Sequence, residues 1–151
     1  HAPARHLRMA ARLGPASRRA FHWWTLGSLY FLADRHAEAV GALERASRWG
    51  TSDKALYQGH LALARIGAGE DIDDAPDLID RLAAVPAGQG YGRFVLGMLA
   101  LHARRNQEAR FYLQAFVERT EKGRLATCIA LDGELTRAKR ALLSLGRGKS
   151  A

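Results

Sequence analysis

Between Trp23 and Ala46 the chain sets large and small side chains at helical steps that leave little choice of packing. Trp23-x-x-Leu26-Gly27-x-x-Tyr30 is followed by Ala39-x-x-x-Leu43-x-x-Ala46. Residues three, four and seven apart share one stripe of an α-helix, so each half of the segment is an amphipathic helix with a single apolar seam. The polar step Ala33-Asp34-Arg35-His36 between them is short, which folds the two helices back as an antiparallel hairpin. Gly27 and Ala39 are the small residues on the two facing stripes, where the backbones come close, and Trp23, Tyr30 and Leu43 fill the space around them. Any amphipathic hairpin would explain the apolar stripes. It would not explain a glycine at that step between Trp and Tyr, where a larger side chain would overpack the seam by about 1–3 kcal/mol.

A lone hairpin buries only one of its faces, so further copies are expected. Arg93-x-x-Leu96-Gly97-x-x-Ala100 followed by Ala109-x-x-x-Leu113 repeats the offsets, with Arg in place of the Trp and Phe116 in place of the last Ala. Between these two, Tyr57 to Ala64 continues with Leu61 at the glycine step, and Ala75-x-x-x-Ile79-x-x-Leu82 follows after a longer connection. A short fourth unit reads from Leu125-Ala126-x-x-Ile129 and Ala138-x-x-x-Leu142, with Asp132-Gly133 as its turn. Leu7-x-x-Ala10 before Gly14-Pro15 looks like the second helix of an earlier unit. The chain is therefore expected to begin in mid-repeat as a piece of a longer array, or else to carry residues 3–13 as a solvent-facing cap.

These motifs resemble the tetratricopeptide repeat, a helix-turn-helix unit of about 34 residues. The resemblance covers most of the chain and is strongest in the Leu-Gly and Ala-x-x-x-Leu steps. It implies an all-α fold, a right-handed α-solenoid of antiparallel helix pairs. Residues 1–151 would form one domain, with a partial repeat at 1–15, repeats near 18–50, 52–86, 88–121 and 123–145, and a frayed tail at 146–151. About nine helices are predicted, near 3–13, 18–33, 36–49, 52–67, 73–84, 88–103, 106–120, 123–132 and 134–145.

The family's first helices line a concave groove, and the residues beside the seam face the ligand. Carried over position by position, the resemblance implies a partner-binding groove of Phe21, Trp24, Ser28 and Phe31, then Gln58, Ala62 and Arg65, then Tyr91, Phe94, Met98 and Leu101. Trp24 and Phe94 follow seam positions by one residue and so turn about 100° away from the seam. Packing against a neighbouring helix competes with this reading, most evenly at Phe31 and Leu101. Some family members hold an acidic C-terminal carboxylate with a Lys and an Asn, where this chain has Trp24 and Ser28. An amphipathic helix or extended segment with apolar anchors fits the groove better. In size and groove character the chain is similar to small bacterial secretion chaperones built from three such repeats. A chaperone or assembly role with a protein or peptide partner is the expectation, with self-association through the open N-terminal repeat face as a further route.

The formal net charge of +8 comes from 23 basic and 15 acidic residues, and the basic ones are overwhelmingly Arg. Glu70, Asp71, Asp73, Asp74, Asp77 and Asp80 crowd one short acidic segment. Arg5, Arg8 and Arg12 share a face near one end, and Arg137, Lys139, Arg140, Arg147 and Lys149 gather near the other. Such runs usually form solvated faces. The alternative is nucleic-acid or anionic-surface binding, which would show steep salt dependence. No basic motif interleaved with aromatics and no zinc-finger spacing supports it.

Chemistry-bearing patterns are wanting. Gly146-Arg147-Gly148-Lys149-Ser150 has the end of a phosphate loop but Leu143 where its first glycine belongs. The cluster around Asp71 and Asp73 has Pro76 and Leu82 where a calcium loop needs Gly and Glu. Gly88-x-Gly90-x-Gly92 lacks dinucleotide spacing and reads as a flexible inter-helix loop. The six histidines are scattered, no nucleophile sits beside a base, and Cys128 has no partner for a disulfide or metal and reads as a small core residue. The sequence thus predicts a non-enzymatic protein with no cofactor or metal. No apolar run approaches the ~18 residues of a membrane span. The absence of disulfides fits a reducing, cytoplasmic compartment.

Overall fold

The computed structural model describes residues 16–149, and within them every regular element is helical. The predicted helix near 3–13 and the half-repeat around Leu7 lie outside the described residues. Eight α-helices follow in order: α1 (Ala16–Leu32), α2 (His36–Trp49), α3 (Lys54–Gly67), α4 (Ala75–Ala83), α5 (Gly92–His102), α6 (Asn106–Lys122), α7 (Leu125–Ala130) and α8 (Asp132–Lys149), with one 3₁₀ turn at Pro86–Gly88. The fold is divided into two compact units, His1–Asp73 and Asp74–Ala151. The predicted repeat at 52–86 is therefore shared out, with α3 in the first unit and α4 in the second.

In the first unit α2 packs between α1 and α3, and α1 also touches α3. The seam is as close as its spacing demands: a Cβ on Gly27 would stand 2.6 Å from Leu43 Cγ and 2.8 Å from Leu43 Cδ2. Ala39, Leu43 and Ala46 are fully enclosed beside it. The turn after α1 closes by a Schellman motif. Arg35 N–H donates to the Tyr30 carbonyl at 2.9 Å and Asp34 N–H to that of Phe31 at 3.1 Å, with Asp34 left-handed at φ 60°. That conformation satisfies orphan carbonyls at the helix end but costs a residue with a Cβ about 1–2 kcal/mol.

The second unit is built on the same device. A Cβ on Gly97 would meet Leu113 Cγ and Cδ2 at 2.5 Å, and Ala109 and Leu113 are fully buried. Arg105 N–H donates to the Ala100 carbonyl at 2.9 Å and Arg104 N–H to that of Leu101 at 3.1 Å, with Arg104 at φ 61°. Around this hairpin α4 and α8 pack on α5, and α7 and α8 on α6. Phe94, Leu96, Leu99, Leu113 and Phe116 form the core.

Several local expectations change. Pro86–Gly88 is an ordered 3₁₀ turn, not a flexible loop: a Cβ on Gly88 would lie 2.2 Å from the Leu82 carbonyl oxygen, and one on Gly92 would lie 2.0 Å from that of Ala87. This close-packed turn delays α5 to Gly92. Asp132-Gly133 is not a turn but the start of α8, because the break after α7 falls one residue earlier at Leu131. The helix then runs on to Lys149 through the residues expected to fray. Cys128 is only half-buried, on a helix with no buried residue, so it is not part of the core.

Candidate functional site

Of the groove residues in the first unit, α1 contributes two that remain at the surface. Phe21 is 52% exposed, with its ring centroid 5.9 Å from that of Trp24. Trp24 is half-buried, and what lies beneath it fixes its position. Its indole N–H donates to His60 Nδ1 at 3.0 Å, and its ring lies 6.2 Å from that of Tyr57. Gln58 and Arg65, both on α3, are half-buried, and the Arg65 guanidinium approaches the Glu44 carboxylate at 3.5 Å.

The other three are not groove residues. Ser28, Phe31 and Ala62 are buried. Ser28 donates its hydroxyl to the Trp24 carbonyl at 3.0 Å, the usual fate of a mid-helix serine, and Phe31 packs edge-on against the His60 ring at 5.2 Å. Both lie on the side of α1 that α3 covers.

His60 was not among the residues singled out from the sequence. It is completely buried, and burial pushes its pKa down to about 3, so it is a neutral acceptor for Trp24. The signal existed. His60 stands one step before Leu61, as Leu26 stands before Gly27 and Leu96 before Gly97, and is thus a seam residue in the degenerate copy.

In the second unit the expected groove is mostly closed. Phe94 is fully buried, 5.5 Å from the Phe116 ring of α6, which packs on α5. Met98 and Leu101 are half-buried, and Met98 borders a concavity with Arg137, Arg140 and Ser144 of α8. Tyr91 is half-buried and donates its hydroxyl to Glu134 Oε2 at 2.8 Å. Nothing in the spacing around Glu134 marks it for selection. Burial pushes its carboxyl pKa up, against the opposing pull of the Tyr91 hydrogen bond, and Oε1 has no hydrogen-bond partner.

Part of the arginine excess is structural. Arg19 covers the Trp49 ring at 4.5 Å, Arg45 covers Trp23 at 4.8 Å and Arg35 covers Tyr30 at 5.3 Å. These cation–π contacts close the rims of the hairpin where aromatic edges would meet water. Lys139 joins Glu121 at 2.6 Å. Arg5, Arg8 and Arg12 lie outside the described residues. Among the described residues no helix is long and apolar enough to cross a membrane.

No family model matches the chain, and neither does any curated protein or solved structure.

Proposed function

We propose that the protein is a non-catalytic interaction module of the tetratricopeptide type, a right-handed solenoid of helix pairs. Its role is to hold a helix or extended segment of a partner protein, as a chaperone or assembly factor does. The docking surface is the α1–α3 face of the first unit, centred on Phe21 and Trp24 with Gln58 and Arg65 beside them.

One observation carries this reading: Phe21 stands exposed on a tryptophan that is already tied from below to a buried histidine. An exposed aromatic on an immobilised base offers apolar area at little further cost in side-chain freedom. Aromatic anchors of this kind dominate the energetics of protein interfaces. Arg65, half-exposed, supplies a cation for an acidic group of the partner.

The test is retention of proteins from the native cell on the immobilised chain, at low and high salt, against a Phe21→Ala/Gln58→Ala variant with unchanged circular dichroism. Salt-tolerant retention by the parent and loss by the variant is the expected result. Equal retention by both would refute the surface. Retention that disappears with salt alone, in both proteins, would instead favour the basic faces and counterion release.

A further inference from the structure

The second unit contains a cleft of about 200 Å³ whose border includes Tyr91, Arg93, Phe116, Arg119, Thr120 and Thr127. It is separate from the surface proposed above and does not depend on it. We propose that this cleft binds a small phosphate monoester, with Arg93, Arg119 and the two threonine hydroxyls holding the phosphate and the Tyr91–Phe116 wall receiving the carbon portion.

Among the described residues, the border of the cleft carries two arginines and no carboxylate. Burial lowers the Arg93 pKa, and the nearby charge of Arg119 lowers it further. No carboxylate lies between them. Arg93 donates to the neutral amide oxygen of Gln89, and Arg119 has no ion-pair partner among the described residues. The nearby acids of α6 are taken up elsewhere, Glu118 by Lys122 at 3.2 Å and Glu121 by Lys139 at 2.6 Å. Glu134, behind Tyr91, is biased by burial toward its neutral form. Two guanidinium groups facing one concavity repel each other until an anion bridges them, so the empty arrangement is the costly one.

The donor set points to phosphate rather than carboxylate. Thr120 is only 9% exposed, and its hydroxyl makes no hydrogen bond to any described residue. Thr127 borders the same space from α7. Two cations and two hydroxyls match a dianion with three acceptor oxygens better than a planar monoanion with two. The volume admits a phosphate with a compact body attached, and Tyr91 and Phe116, whose rings are 6.3 Å apart and nearly perpendicular, give that body an apolar wall.

Calorimetric titration at fixed ionic strength with phenyl phosphate, inorganic phosphate and benzoate tests the proposal. Phenyl phosphate is expected to bind most tightly, inorganic phosphate more weakly, and benzoate at least about tenfold more weakly than phenyl phosphate. Arg119→Gln, an exposed position where folding is not at stake, should weaken phenyl phosphate by about tenfold or more, since a hydrogen bond to a charged group contributes about 1.5–3 kcal/mol. Thr120→Val should weaken it less, and Phe21→Ala should leave it unchanged. Benzoate binding as tightly as phenyl phosphate would overturn the phosphate assignment. No binding at millimolar phenyl phosphate, or equal binding by Arg119→Gln, would overturn the site.

Discussion

The hairpins α1–α2 and α5–α6 are two executions of one design. In each a glycine meets the side chain of a buried leucine, Gly27 with Leu43 and Gly97 with Leu113. Each has a left-handed residue carrying a Cβ, Asp34 or Arg104, and the same pair of capping hydrogen bonds. In each an arginine after the turn pairs with a glutamate three residues on, Arg35 with Glu38 and Arg105 with Glu108. They differ outside the seam. On its first helix the first hairpin leaves Trp24 and Phe21 at the surface over a buried histidine, while the first helix of the second buries Phe94, with Tyr91 beside it on a buried glutamate. The seam is thus set by spacing within the hairpin, and the outer faces by whatever helix packs on them next.

The largest effects should come from the two leucines. Leu43→Ala and Leu113→Ala are each expected to lower stability by about 2–5 kcal/mol in chemical denaturation, the cost of a cavity at a fully enclosed site. Similar losses at both sites would support the equivalence of the hairpins. A loss under 1 kcal/mol at either would break it.

The buried polar groups sharpen the contrast. Trp24→Phe removes the donor to His60 Nδ1 and should cost about 1–3 kcal/mol. Adding His60→Leu, which gives α3 the leucine that α1 has at Leu26 and α5 at Leu96, should recover most of that loss; failure to recover would show that His60 is not a seam residue.

Acid should act on the two units in opposite directions. The folded pKa of His60, about 3, lies below its ordinary value of 6.5, so its contribution is intact above pH 6.5 and is lost as pH falls toward 3. The folded pKa of Glu134 is raised above its ordinary 4.5, so its contribution is intact below 4.5 and is lost as pH rises through the folded value. His60→Leu should flatten the acid limb of a stability–pH profile, and Glu134→Gln should flatten the limb on the rising side. Exchange of these two phenotypes would contradict the assignment.

The smallest effects belong to the ion pairs beside the turns. Glu38→Gln and Glu108→Gln are each expected to change stability by less than about 1 kcal/mol, since exposed pairs gain little over hydration. A larger loss at only one would mark a difference between the turns that their matching backbones do not show.

The seam could be read from the sequence because helical spacing and side-chain size determine it locally. Gly27, Leu43, Gly97 and Leu113 all lie where their offsets put them, and Pro76 stands in the first turn of α4. The candidate surface was legible only at Phe21, Trp24, Gln58 and Arg65. Phe94 departs from the groove expectation because its ring packs on Phe116, which α6 brings back against α5. Ser28 and Phe31 were misplaced in the same way by α3. Glu134 could not be chosen at all, since only the long-range meeting with Tyr91 distinguishes it from other acids at the start of a helix. The early start of α8 follows from a helix break confined to Leu131, too short to leave the Gly or Pro signal of a turn.

A glycine and a leucine are matched to each other in both hairpins. A double-mutant cycle with Gly97→Ala and Leu113→Ala tests it most directly, because the added Cβ falls where the leucine branch is removed. Each single change is expected to destabilise, and the double variant to be more stable than the sum of the two by about 1 kcal/mol or more. Strict additivity would contradict it, and the same cycle at Gly27 and Leu43 should give the same answer.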